Sequence, residues 1–141
     1  MKRLFILDAS VAVKWFFLDE PQRDMALTVR DHLVEHPENF VVPPLFFTEL
    51  IHVLARKSNG DEKFSTQAIE IILGLGIRCN SLSNDGFLSA VQFSCEGLSG
   101  YDATYAALAK ETNGKWLSAD LKALKKLEKK LTLSLLAFKK S

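Results

Sequence analysis

Lys2-Arg3-Leu4-Phe5-Ile6-Leu7-Asp8-Ala9-Ser10-Val11-Ala12-Val13-Lys14-Trp15 decides the fold. Leu4 to Leu7 form a continuous apolar run, without the polar alternation of a strand that keeps one face wet. Such a run fits a parallel sheet covered on both faces. We read Lys2 to Asp8 as that strand, with Ser10 starting a short helix through Val11, Val13, Trp15 and Phe16. The alternation continues along the chain. A helix runs from Pro21 to about His36, and Phe40-Val41-Val42 is a strand stopped by Pro43-Pro44. Helices follow over Leu45 to Lys57, closed at Asn59-Gly60, and from a Ser65 cap to Leu73, which ends at Gly74-Leu75-Gly76. Ile77 to Asn80 reads as a strand, and Asn84 or Asp85 opens a helix through Phe93. Tyr101 to Thr112 is a helix closed by Asn113-Gly114, and Lys115 to Ser118 is a strand. A lysine-rich helix over Asp120 to Lys130 precedes a final strand from Leu131 to Phe138. Strands alternating with helices imply an α/β domain of three layers around a mainly parallel sheet.

At 141 residues the chain suffices for one core, so residues 1–141 are read as a single domain. A hydrophobic fraction of 48% with 25% charged residues excludes disordered and fibrous classes. Cys79 and Cys95 make no C-x-x-C pair and are too few to staple a secreted mini-fold. The apolar run that Asp8 ends is too short for a signal peptide, and no stretch could span a bilayer. A cytoplasmic protein with no membrane partner is the expectation. Net charge is +1, but residues 1–109 carry −5 and residues 110–141 carry +6. The basic end suits a phosphate-backbone ligand, and it equally suits a solvated helix face.

Four acids stand where a carboxylate is awkward for folding: Asp8 after an apolar run, Glu49 inside Leu45-Phe46-Phe47-Thr48-Glu49-Leu50-Ile51, Asp102 in Tyr101-Asp102-Ala103, and Asp120 after Trp116-Leu117-Ser118-Ala119. Asp8 and Asp120 can serve as helix caps, and Ser99-Gly100-Tyr101-Asp102 has capping-box spacing. Glu49 in mid-helix has no capping role, and an acid beside apolar neighbours is costly to bury without a partner. Gathered at about 4 Å, two carboxylates repel by about 4 kcal/mol at an effective dielectric near 20. A hard divalent cation such as Mg²⁺ or Mn²⁺ is the natural counter-charge.

The strings Leu7-Asp8-Ala9-Ser10-Val11-Ala12-Val13-Lys14-Trp15, Pro43-Pro44-Leu45-Phe46-Phe47-Thr48-Glu49-Leu50, Tyr101-Asp102-Ala103-Thr104-Tyr105-Ala106-Ala107-Leu108-Ala109 and Leu117-Ser118-Ala119-Asp120 together resemble the PIN-domain family. They are most similar to its VapC-type toxins of prokaryotic toxin–antitoxin pairs. The resemblance covers nearly the whole chain. It maps the family's acids onto Asp8, Glu49, Asp102 and Asp120, and its hydroxyl positions onto Ser10 and Ser118. It implies a Mg²⁺- or Mn²⁺-dependent endoribonuclease, a homodimer, and inhibition by a VapB-type antitoxin. Hydrolysis of a phosphodiester needs an activated water, a neutralised phosphate oxygen and a stabilised leaving oxygen, and metal ions can supply all three. Asp8 and Asp102 are expected as direct ligands, with Asp120 as a ligand or its support. Glu49 is expected to hold a water or take its proton, and Ser10 and Ser118 to orient these groups.

Lys14, Arg56, Lys57 and the lysine-rich last helix are candidates for RNA phosphate contacts. Trp15, Phe16, Phe17, Phe46 and Phe47 fit the core, or a dimer or antitoxin surface, better than base stacking. Glu49-x-x-His52 has no second copy, His32 and His36 lack a third metal ligand, and no Walker, dinucleotide or Gly-x-Ser-x-Gly pattern occurs. Two other functions remain open at this level: a housekeeping nuclease of RNA processing, and a non-catalytic protein-binding or phosphoacceptor module.

Overall fold

The computed structural model describes residues 3–139. Met1, Lys2, Lys140 and Ser141 lie outside it, including the expected start of the first strand. Strand β1 (Phe5–Leu7) is followed by α1 (Ala9–Val13), α2 (Arg23–Glu35), β2 (Phe40–Val42), α3 (Leu45–Lys57) and α4 (Glu62–Leu73). Then come β3 (Arg78–Cys79), α5 (Asn84–Cys95), α6 (Gly100–Thr112), β4 (Lys115–Ser118), α7 (Leu121–Leu124) and β5 (Thr132–Ser134). The strands form one sheet in the order β3-β2-β1-β4-β5, every pair parallel. All residues of β1 and β2 are buried, as their unbroken apolar runs demand.

Sheet order places the site. The chain moves from β1 to β2 on one side, and later returns to add β4 on the other side of β1. Ligands of open α/β sheets bind beyond the carboxyl ends of the strands where the order reverses. Here that point lies between the ends of β1 and β4, where Asp8 and Ser118 stand. The Asp8 amide donates to the Leu117 carbonyl at 3.0 Å, which locks the two strand ends together.

A close approach holds the other end of this pair. Asn113 closes α6 in the left-handed conformation at φ 56°, and Gly114 then passes against β1. A Cβ on Gly114 would stand 2.8 Å from the Leu4 carbonyl oxygen and 3.1 Å from Ile6 Cδ1. That carbonyl accepts the Lys115 amide at 2.9 Å. Gly114→Ala must therefore spread β1 from β4, and we expect a loss of about 1–3 kcal/mol in denaturant unfolding.

Several boundaries differ from the sequence expectation, each for a local reason. The Lys14, Trp15 and Phe16 amides bond back three residues, to Val11, Ala12 and Val13, so α1 tightens into turns instead of continuing. Gln22, at φ 57°, interrupts the backbone after Pro21, and α2 begins only at Arg23. Asp61 rather than Ser65 caps α4, its carboxylate accepting the Phe64 amide at 3.0 Å. Ser83 caps α5, accepting the Gly86 amide at 3.1 Å.

The largest correction concerns the lysine-rich helix. It ends at Leu124, gives way to turns, and resumes as a single 3₁₀ turn at Lys129–Leu131. Lys122, Lys125, Lys126, Lys129 and Lys130 would stack at three- and four-residue spacing on a longer helix and repel. Breaking the helix also lets Leu131 and Leu135 bury and β5 pair with β4.

Candidate active site

Asp8, Ser10, Glu49, Asp102 and Asp120 line one cleft of about 480 Å³. They come from the β1–α1 junction and the first turn of α1, from α3, from α6 and from the β4–α7 turn. Asp8 is 9% exposed. One of its oxygens accepts the Ser10 amide at 2.9 Å and the other accepts Trp116 Nε1 at 3.1 Å. Asp120 accepts the Ala123 amide at 3.2 Å. Both aspartates are thus helix caps that also face the cleft, so the capping and cleft-lining readings coexist.

Asp102 is not the cap of α6; Ser99 is, its hydroxyl accepting the Asp102 amide at 3.0 Å. Glu49 is half-buried, at the margin of the apolar stripe formed by Phe46, Leu50 and Leu54. It does not sit in mid-stripe, and Tyr105 partners it: the phenol donates to Glu49 Oε1 at 2.7 Å.

Ser118 plays a different part from Ser10. It is fully buried and does not line the cleft. Its hydroxyl accepts the Asp120 amide at 3.0 Å and lies 3.4 Å from Ser10 Oγ. Ser10 Oγ accepts the Ala119 amide at 3.1 Å. The two hydroxyls therefore tie the turn after β1 to the turn after β4, fixing Asp8 and Asp120 relative to each other.

Electrostatics show how closely the acids communicate. Burial raises the Asp8 carboxyl above its ordinary value, and the charge of Asp120 adds to the rise; bonds from Ser10 and Trp116 oppose it. Burial likewise raises Glu49, with contributions from Asp8 and Asp102. Burial raises Asp102, with contributions from Asp8 and Asp120, against opposing effects of Ser99 and Lys126. Among the described residues no three His, Cys, Asp or Glu side chains form a ready-made ion cage. The acids share a cleft and repel across it. As donors they are hard carboxylate oxygens, the class that suits Mg²⁺ or Mn²⁺.

Three participants escaped the sequence reading. Tyr105 and Trp116 are fully buried and stacked, with ring centroids 5.5 Å apart and planes 12° apart. Trp116 lines the cleft and Tyr105 lies stacked against it, and their polar edges hold Asp8 and Glu49 respectively. Tyr105 was within reach of inference, since it lies three residues after Asp102 and so on the same helix face. Glu20 is the third, a further acid lining the cleft, from a loop that no spacing rule could connect to the others.

Of the expected phosphate-contact residues, Lys14 is 6% exposed, and its ammonium donates to the Pro21 carbonyl at 2.8 Å. Lys57 lines the cleft and Arg56 is exposed. Trp15 and Phe46 belong to the core, and Phe16, Phe17 and Phe47 pack partly buried against it. His32 is buried among the Phe5, Phe40 and Phe138 rings, which gives it a packing role. Cys79 and Cys95 are both free and exposed. Among the described residues no helix is long and apolar enough to cross a membrane.

No curated protein matches the chain in sequence. Solved structures match its fold. PAE2754 from Pyrobaculum aerophilum superposes with a TM-score of 0.68 at 17% identity, covering 96% of this chain and 92% of its own. VapC20 of Mycobacterium tuberculosis, a toxin that cleaves the sarcin–ricin loop, superposes at 0.65 and 14% identity over 82% of this chain and 87% of its own. A DNA-bound VapBC structure from Salmonella typhimurium superposes at 0.69 and 11% identity over 94% of this chain and 98% of that one. The family model of the PIN domain matches residues 5–130. With the match running from the first strand through the last acid of the cleft, the chain belongs to the PIN-domain family, whose domains are generally nucleases.

Proposed function

We propose that this protein is a Mg²⁺- or Mn²⁺-dependent endoribonuclease, the toxin of a VapBC-type pair, restrained by a VapB-type antitoxin and acting as a cytoplasmic homodimer. One observation carries the nuclease reading: acids from four separate segments line a single cleft at the switch point of the sheet, and three of them are raised by burial and by each other's charge. A structural role needs no such concentration of like charge. The similarity in fold to VapC20 and to the DNA-bound VapBC structure supports the toxin assignment.

Asp8, Asp102 and Asp120 would hold the metal. When bound, it supplies Lewis acidity to the attacking water, a phosphate oxygen and the leaving oxygen. The protein's own groups then do the following. Asp8 uses one lone pair on each oxygen for the Ser10 and Trp116 donors, which leaves each oxygen a second lone pair. Its orientation is thereby fixed before any ligand arrives. Glu49, with a raised pKa, is the group suited to take a proton from the nucleophile. Tyr105 holds it in place. Because water and not the ribose 2′-hydroxyl attacks, the products are a 5′-phosphate and a 3′-hydroxyl.

Tyr105→Phe tests the role of Glu49. The phenol donor lowers the Glu49 pKa, so its removal moves that pKa further up. Glu49 is active in its ionised form, and the acidic limb of the kcat/KM profile should therefore shift to higher pH. An unmoved limb would remove Glu49 from the proton-transfer step.

The nuclease reading itself is tested on a panel of labelled RNAs with Mg²⁺, Mn²⁺ or EDTA. Cleavage with either metal and none in EDTA is expected. Absence of cleavage from a folded protein on every RNA would favour a non-catalytic module. Expression with and without the neighbouring gene product separates toxin from housekeeping nuclease, because only a toxin arrests growth and is relieved by its partner.

A further inference from the structure

Lys14, Glu20 and Lys57 form a chain of charges along the cleft that the metal chemistry above does not use. Glu20 lies between two ammonium groups: Lys14 Nζ is 3.5 Å from one of its oxygens and Lys57 Nζ 2.7 Å from the other. The two lysines are not equivalent. Lys14 is almost wholly buried, with its ammonium on the Pro21 carbonyl as well as on Glu20, so it is already engaged inside the protein. Lys57 keeps 30% of its side chain exposed, and its ammonium stands 5.0 Å from the Phe17 ring centroid. An ammonium has three donors, and the bond to Glu20 uses one of them.

Helix α3 sets where that ammonium can act. Glu49, Val53 and Lys57 all line the cleft at four-residue spacing, the repeat of one helix face. Lys57 therefore lies about 12 Å along the axis from Glu49 at 1.5 Å per residue. The Lys57 ammonium is held on Glu20 and not on Glu49, Asp8, Asp102 or Asp120, which suits it to a phosphate beside the one being cut. A strand crossing the acids and continuing along α3 would present a flanking phosphate there.

We propose that Lys57 binds a phosphodiester flanking the scissile one in an RNA strand, and that Glu20 is a positioning residue that holds the Lys57 ammonium in place for it. Lys14 anchors Glu20 from within the protein. This inference rests on the nuclease reading above. It assigns an acid a favourable role in binding a polyanion, opposite to what simple charge repulsion predicts, and that sign makes it testable.

The measurement is kcat/KM for a labelled oligoribonucleotide in Mn²⁺, between roughly 50 and 200 mM salt. Lys57→Gln should lower kcat/KM about tenfold at the low-salt end, the effect of about 1.4 kcal/mol in an equilibrium. It should also flatten the log–log salt dependence by about 0.7, the value of one single-strand phosphate contact. Lys57→Arg should keep the slope. Glu20→Gln should lower kcat/KM severalfold, and in the Lys57→Gln background it should cost nothing more. Faster cleavage by Glu20→Gln, an unchanged slope in Lys57→Gln, or an undiminished Glu20 effect without Lys57 would each overturn the inference. The Lys57 arm stands even if Glu20→Gln destabilises the protein by stranding Lys14. A folded parent that cuts no RNA overturns the nuclease reading and this inference together, whereas a parent that cuts with an unaltered slope in Lys57→Gln overturns this inference alone.

Discussion

Asp8→Asn is expected to reduce RNA cleavage by about a thousandfold or more while the protein still folds. Asp8 is the most enclosed of the cleft acids and the one fixed on both oxygens. Asparagine keeps the shape, but removes the charge and presents an amide N–H₂ to one of two donors. One donor, Ser10 N or Trp116 Nε1, then loses its acceptor, a cost of about 1–3 kcal/mol for a buried group. On the metal-dependent reading, removing the Asp8 charge weakens cation affinity. A loss of about 4 kcal/mol in the barrier corresponds to roughly a thousandfold in rate. The check is single-turnover cleavage in Mn²⁺ beside a thermal melt of the same preparation. Residual activity within tenfold of the parent, in a variant that melts cooperatively, would remove Asp8 from the centre of the chemistry.

In EDTA, stability should fall as pH rises from the acid side toward neutrality, and a divalent cation should reverse that fall. The sign follows from three carboxyls. Asp8, Glu49 and Asp102 all have folded pKa values raised above the ordinary 3.8 for aspartate and 4.5 for glutamate. A group raised by folding contributes stability fully below its unfolded value, and loses that contribution as pH climbs through its folded value. The affected window therefore begins near the ordinary carboxylate range and extends upward. Above it the three acids are charged, a state disfavoured mainly by burial in each case and further by the charge of neighbouring acids.

A cation that binds only the folded state adds about 2.7 kcal/mol at one hundred times its Kd. For a chain of this size that corresponds to roughly 5–11 °C in melting temperature. Asp102→Asn supplies the control. It removes one of the mutually raised charges, so it should melt higher than the parent in EDTA at neutral pH, gain less from Mn²⁺, and show a weaker pH dependence. The difference between parent and variant melts, recorded across the window, isolates this site from the protein's other titrating groups. No shift with Mn²⁺ together with a variant that melts lower would show that the acids are paired by something other than an ion.

Sequence pattern alone made most of the architecture legible. The continuous apolar runs Phe5-Ile6-Leu7 and Phe40-Val41-Val42 fit strands covered on both faces of a parallel sheet, and both are such strands. Capping chemistry marked several boundaries, with Asn113 at the end of α6 and Pro43-Pro44 after β2. Asp120 to Lys130 was misread for an instructive reason. Its local propensity is helical, yet the burial of Leu131 and Leu135 and the pairing of β5 with β4 outweighed it. The burial of Lys14 against Glu20 was not legible, because Glu20 lies in a loop that gives no periodic signal.

The sequence by itself determined the alternation of strand and helix and the apolar core, because those depend on residue type and on spacing within single elements, whereas the four acids were marked out by the joint resemblance of four separated motifs to the PIN-domain family. Only the tertiary structure decided that the acids share a cleft, that Tyr105 and Trp116 hold Glu49 and Asp8, that Ser118 is a buried tie, and that Lys14 is buried while Lys57 stays partly exposed. The physical reason is distance along the chain. Ser10 meets Ser118 across 108 positions and Tyr105 meets Glu49 across 56. Contacts of that range are set by the order in which β1 and β4 join the sheet, which no local pattern encodes.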